Sequence, residues 1–148
     1  MDNFTNTHNI IYLHYTIKIY LDIDDTLIHT DLFNMRPANH VKEFLTNVVN
    51  NHDTYWLTTH CNGDASVPVF YLSKIFPEEL IPLIMRIKPT RWDMRKIDAI
   101  NLEEDFLWFD DVLMDSEEKL LISEGKRDIH VMVNLDDNPD FLRDYINI

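Results

Sequence analysis

Residues 15–27 read YTIKIYLDIDDTL, and this stretch decides the fold. Its first part, YTIKIYL, is rich in β-branched and aromatic side chains and predicts a strand. The strand runs straight into Asp22-Ile23-Asp24-Asp25-Thr26, a carboxylate cluster with no glycine to help it turn. A plain reading makes these acids turn and cap residues, which Asp often supplies. That reading must then be used twice, because DFLWFDD (105–111) is a second buried-looking apolar run that ends in acids. Grouped carboxylates repel one another unless a proton or a cation compensates. A hard, oxygen-seeking ion such as Mg²⁺ is the natural counter-charge.

Outward from this stretch, strands alternate with helices. In PANHVKEFLTNVVNN (37–51), Val41, Phe44, Leu45, Val48 and Val49 recur at helical spacing, which predicts one buried helix face. TYWLT (54–58) reads as a buried strand. Residues 65–87, interrupted by Pro68, Pro77 and Pro82, predict one or two short helices. TRWDMRKIDAINL (90–102) fits a helix, and DSEEKLLIS (115–123) another, stopped by Gly125. DIHVMVN (128–134) fits a strand. NPDFLRDYI (138–146) fits a closing helix with Asn138 as cap and Pro139 in its first turn. Strands separated by helices imply a doubly wound, Rossmann-like α/β fold, with a parallel sheet of four or five strands covered on both faces. In such a sheet ligands bind beyond the carboxyl ends of the strands. Asp22 and Asp24, Thr58 and Thr59, and Asp110 and Asp111 therefore gather at one edge.

Composition bounds the rest. A chain of 148 residues that is 45% apolar is expected to form one domain, 1–148, with residues 1–9 frayed. The formal net charge of −13 disfavours sequence-independent nucleic-acid binding. The single cysteine, Cys61, excludes an internal disulfide and a cysteine-rich zinc site, and fits a cytoplasmic location. The stretch from Ile10 to Leu21 is too short and too polar to span a bilayer. His60 and Cys61 read as pocket-edge residues, since no third group is visible to orient a catalytic pair.

Four segments together resemble the haloacid dehalogenase (HAD) superfamily. Asp22-Ile23-Asp24-Asp25-Thr26-Leu27 is similar to its first motif, DxDxT. Trp56-Leu57-Thr58 is similar to the second, Lys96 in RKIDAI to the third, and Asp110-Asp111 with Asp115 to the fourth. YLDIDDTLIHT followed by MRPANHVKEFL also resembles the branch that dephosphorylates protein serines. The resemblance implies a magnesium-dependent phosphatase. Asp22 would be the nucleophile and Asp24 the general acid and base, while Thr58 and Lys96 hold the phosphoryl group. Mg²⁺ would be held by Asp22, the backbone carbonyl of Asp24, and Asp111. Asp110 and Asp115 would lie outside those ligands, and Thr26, Thr59 and Arg36 are candidate substrate contacts. Lys88 rivals Lys96 for the third motif, and Thr59 rivals Thr58 for the second. The short intervals from Asp22 to Thr58 and from Thr58 to Lys96 leave no room for a cap domain. The site should be open to a phosphorylated small molecule, a phosphoprotein or a nucleic-acid end. A catalytically weak, partner-binding domain of the same fold is the alternative. A receiver-like phosphoacceptor domain fits less well, because its acidic pair belongs on the first strand.

Overall fold

The computed structural model describes residues 15–148, so the frayed start expected for residues 1–9 lies outside the described residues. Six strands are present among them: β1 (Lys18–Leu21), β2 (Ile28–Asp31), β3 (Asn34–Pro37), β4 (Asp53–Trp56), β5 (Phe106–Asp110) and β6 (His130–Met132). The α-helices are α1 (Val41–Asn51), α2 (Ser66–Ser73), α3 (Ile81–Ile84) and α4 (Asp115–Ser123). Four strands form one sheet in the order β4-β1-β5-β6, and every neighbouring pair is parallel. The chain leaves β1 toward β4 on one side and then returns to β5 on the other. The direction of winding therefore reverses beside β1, where Asp22 directly follows β1 and Asp110 ends β5.

The strands alternate their side chains between two apolar layers, as the two-residue period of a pleated strand requires. Ile19 and Leu21 of β1 pack with Phe44, Leu45 and Val48 of α1, while Tyr20 packs on the other face with Ile97, Trp108 and Leu121 of α4. Phe44 meets Phe109 of β5 edge-on, with ring centroids 5.1 Å apart. A sheet buried on both faces explains the nearly unbroken apolar runs of β1 and β5.

The helix over 115–123 and the buried face of α1 match the sequence reading, as do two short helices between residues 65 and 87. Two helices expected from the sequence do not form. Over 90–102 only a 3₁₀ turn, Lys96–Ala99, exists, flanked by extended Arg95 and Ile100. The Ile97 N–H donates to the Glu117 carboxylate, and the Thr90 hydroxyl to the Trp56 carbonyl. Tertiary partners have thus replaced the intrahelical ones. Over 138–146 only the 3₁₀ turn Phe141–Tyr145 forms: Asn138 Oδ1 accepts the Asp140 N–H as a cap would, but the backbone bonds that follow, Phe141 N–H to Asn138 and Arg143 N–H to Asp140, span three residues and not four.

Before α1 an antiparallel hairpin, β2–β3, which the sequence pattern does not announce, occupies residues 28–37. Its tip is Leu32-Phe33, not the Asn-Gly type of pair that advertises a two-residue hairpin turn. Both tip residues are more than 90% exposed. The glycine-free turn after Asp22 is made by Asp25, which adopts φ 55° and accepts the Thr30 N–H on its side chain. Asp is one of the few residues that take this left-handed conformation readily. Among the described residues no helix is long and apolar enough to cross a membrane.

Candidate active site

The ladder of the sheet carries on past the strand ends and sets the site. Asp22 N–H donates to the Phe109 carbonyl, Leu57 N–H to Leu21, and Val133 N–H to Asp110. Asp22, Asp110 and Asp111 are thereby brought to one edge, where a carboxylate oxygen from each lies within 4.8 Å of the others. Asp110 is fully buried. Its Oδ2 lies 2.7 Å from Lys96 Nζ, and its Oδ1 accepts the Val112 N–H at 3.0 Å. Lys96 also reaches Asp22 Oδ1 at 3.2 Å.

One ammonium faces three carboxylates, and their proton affinities record the imbalance. Burial and then the Asp22 charge push the Asp110 carboxyl up to about 8, against the opposing pull of Lys96. The same two causes push Asp111 up to about 6. Burial works to lower the Lys96 pKa, but Asp22 and Asp110 outweigh it and hold the ammonium above its usual value. A divalent cation would answer the same imbalance. The donors are all carboxylate oxygens, which suits a hard ion. With both Asp110 oxygens engaged, Asp22 and Asp111 are the residues with carboxylate capacity to hold it.

Glu117 ties this arrangement together. It is almost fully buried, and its two oxygens accept the Ile97 N–H at 3.0 Å and the Met114 N–H at 3.1 Å. One side chain therefore pins the turn that carries Lys96 to the loop that carries Asp111. Asp115, expected near the metal, is exposed on the first turn of α4 and lines no part of the site. The signal for Glu117 was its place as the third residue of the helix, where a Glu reaches back to the residue before the helix.

The Asp24 carboxylate is engaged on both sides. The Tyr71 hydroxyl donates to Oδ1 at 2.8 Å, and His60 Nε2 lies 2.7 Å from Oδ2. The two rings stack, with centroids 3.9 Å apart. Burial, then the bond to Asp24, raises the Tyr71 phenol well above its normal range, which keeps it a donor. His60 is thus more than a pocket-edge residue. It does not form a pair with Cys61, which is buried with its thiol toward the Thr90 carbonyl.

Both lysine and threonine alternatives have distinct positions. Lys96 is in the cluster, whereas Lys88 pairs with Asp53 at the start of β4, the other end of the strand. Thr59 lines the pocket above Asp22, while Thr58 is fully buried and its hydroxyl accepts the His60 N–H. Thr26 is buried, its hydroxyl without a hydrogen-bond partner among the described residues, and lies outside the pocket lining. Arg36 also lies outside the pocket lining. It pairs with Asp31 across the hairpin and reaches His29, which in turn meets Asp136, so it fastens the hairpin and does not enter the pocket.

The pocket itself has a volume of about 360 Å³. Its charged floor is Asp22, Lys96, Asp110 and Asp111, and its wall is Trp92, Met94, Val112 and Met114. The chain matches no protein-family model, and no curated protein and no solved structure matches it.

Proposed function

We propose that this chain is a capless HAD-type phosphatase that hydrolyses phosphate monoesters through an aspartyl-phosphate on Asp22. The observation that carries the reading is the convergence of Asp22, Lys96, Asp110 and Asp111 at the switch point of a parallel sheet, from three separate segments. Mg²⁺ is the cofactor the donor set suits, held by Asp22, Asp111 and the Asp24 backbone carbonyl. When bound it supplies positive charge that lets an anionic nucleophile approach an anionic phosphoryl group.

The residues divide the chemistry. An Asp22 oxygen attacks phosphorus as the bond to the ester oxygen breaks. The leaving oxygen takes a proton from the Asp24 carboxyl, whose orientation Tyr71 and His60 fix. Water then attacks the phosphorus, Asp24 takes its proton, and the bond from phosphorus to Asp22 breaks to release inorganic phosphate. Lys96 balances charge on Asp22 and on the phosphoryl oxygens throughout. Thr59 lines the pocket, which supports it over Thr58 as the threonine that donates to a phosphoryl oxygen.

The second reading, a catalytically weak domain that binds a partner, is favoured by the exposed Leu32-Phe33 tip. Release of p-nitrophenol from p-nitrophenyl phosphate separates the two. The phosphatase reading expects release that requires Mg²⁺, stops with a chelator and is lost in Asp22→Asn. No release with Mg²⁺ present, or equal release by Asp22→Asn, would contradict it.

A further inference from the structure

The wall of the pocket is the wrong chemistry for a site that takes phosphate alone. Met94, Val112 and Met114 are 79%, 59% and 48% exposed, and with Trp92 they surround the carboxylate–lysine floor. Single exposed apolar residues need no explanation, but several converging on one charged centre mark a ligand with an apolar part. An indole and two thioethers are suited to a flat ring, since both pack favourably on aromatic surfaces. A volume of about 360 Å³ has room for a phosphoryl group and one ring but not for a large rigid ligand.

A second observation concerns the leaving group. Both oxygens of Asp24 are already engaged, by Tyr71 and by His60. A carboxyl group held this way is a restrained proton donor, so esters that leave with little protonation gain most. Phenolates leave as anions far more readily than alkoxides do.

We infer that the substrates are aryl phosphates, phosphate monoesters of a phenolic oxygen such as phosphotyrosine, with the ring against Trp92 and Met94 and the phosphoryl group at Asp22. This rests on the phosphatase reading for the reaction and on the pocket wall for the selectivity. The ester bond from phosphorus to the phenolic oxygen breaks as the Asp22–phosphorus bond forms, and water later returns Asp22 and phosphate.

Binding and turnover test the two parts separately. With Mg²⁺ present, calorimetry should show phenylphosphonate binding at least tenfold tighter than methylphosphonate. Met94→Ser and Val112→Ser, both at exposed positions that leave the core intact, should each narrow that ratio severalfold. Equal affinity for the two phosphonates, or an unchanged ratio in both variants, overturns the inference whatever the catalytic activity. In turnover, kcat/KM for a phosphotyrosyl peptide should exceed that for the matched phosphoseryl peptide by more than tenfold, and parity overturns it. Free phosphotyrosine turned over as well as the peptide identifies small aryl phosphates as the source, and a strong preference for the peptide identifies proteins. Ring-selective phosphonate binding with no turnover of any ester would uphold the pocket assignment and overturn the phosphatase reading.

Discussion

At the scale of single residues, Asp24 shows how a local motif acquires distant partners. Tyr71 and His60 reach it from 47 and 36 positions along the chain. Asp22 and Asp24 were legible in the sequence because their spacing is short and follows a strand. His60 and Tyr71 were not, because nothing local marks a pairing across that distance. On the phosphatase reading, Asp24→Asn keeps Asp22 as nucleophile and removes the acid, and such groups typically contribute roughly 10²–10⁴-fold. Its loss of kcat should be larger for an alkyl phosphate than for p-nitrophenyl phosphate, measured side by side. Equal losses would mean that Asp24 does not protonate the leaving oxygen.

His130 supplies a second residue-scale test, away from the chemistry. It is buried edge-on against Trp108, with neither ring nitrogen partnered among the described residues. Burial, then the Arg127 charge, depresses its pKa to about 4. The unfolded chain therefore binds a proton that the folded protein refuses between about pH 4 and 6.5. Stability from this source is complete above that window and is lost as the pH falls through it, to the extent of roughly 3 kcal/mol. Denaturant unfolding of wild type and His130→Leu should show wild type losing stability relative to the variant from pH 6.5 to 4. Parallel pH profiles would contradict the buried, neutral assignment.

Among the elements, the segment from Thr90 to Leu102 departs furthest from its sequence pattern. Its apolar spacing suggests a helix, yet the backbone N–H of Ile97 is claimed by Glu117 and the Thr90 side chain by Trp56. Propensity is a weak prior, and a buried carboxylate from another element overrides it. The same override places Lys96 within reach of Asp22 and Asp110. Glu117→Ala would leave two N–H groups without their acceptor, and hydrogen bonds to a charged group contribute about 1.5–3 kcal/mol each. We expect urea unfolding to show a loss of about 3 kcal/mol or more, with a fall in kcat as Lys96 loses its anchor. Glu117→Gln, which keeps one acceptor, should lie between. A Glu117→Ala protein of unchanged stability and activity would show that the loop and the turn are held by other contacts. The hairpin β2–β3 was missed for a different reason, since the Leu32-Phe33 tip carries no turn chemistry to read.

For the whole molecule, the strand–helix alternation sufficed to predict a parallel sheet flanked by helices, because β1 and β5 are nearly continuous apolar runs and an acid cluster follows each. Which carboxylates meet was legible only to the level of the strand end. Asp115 and Glu117 lie two residues apart, and only the helix direction decides that Glu117 turns inward. The assembled cluster also governs the response to pH. Asp110 and Asp111 are held above the ordinary carboxylate range, so the folded protein keeps protons that the unfolded chain has released. Stability from that source is complete below about pH 4 and is lost as the pH rises through the raised range in which the pair gives up its protons. A divalent cation bound at the cluster would take the place of those protons, and its binding would add to folding stability. Saturating Mg²⁺ should raise Tm more at pH 8 than at pH 5. An equal shift at both, or none, would show that the cluster does not hold the ion.

The most direct test of the account is where the phosphoryl group goes. Wild-type protein with Mg²⁺ is mixed briefly with a ³²P-labelled aryl phosphate, quenched in acid and digested, and the labelled peptide is sequenced. Label is expected on Asp22 alone, held as an acyl phosphate that hydroxylamine removes, with none in Asp22→Asn. Phosphate release without labelled protein, or label on any other residue, would contradict it.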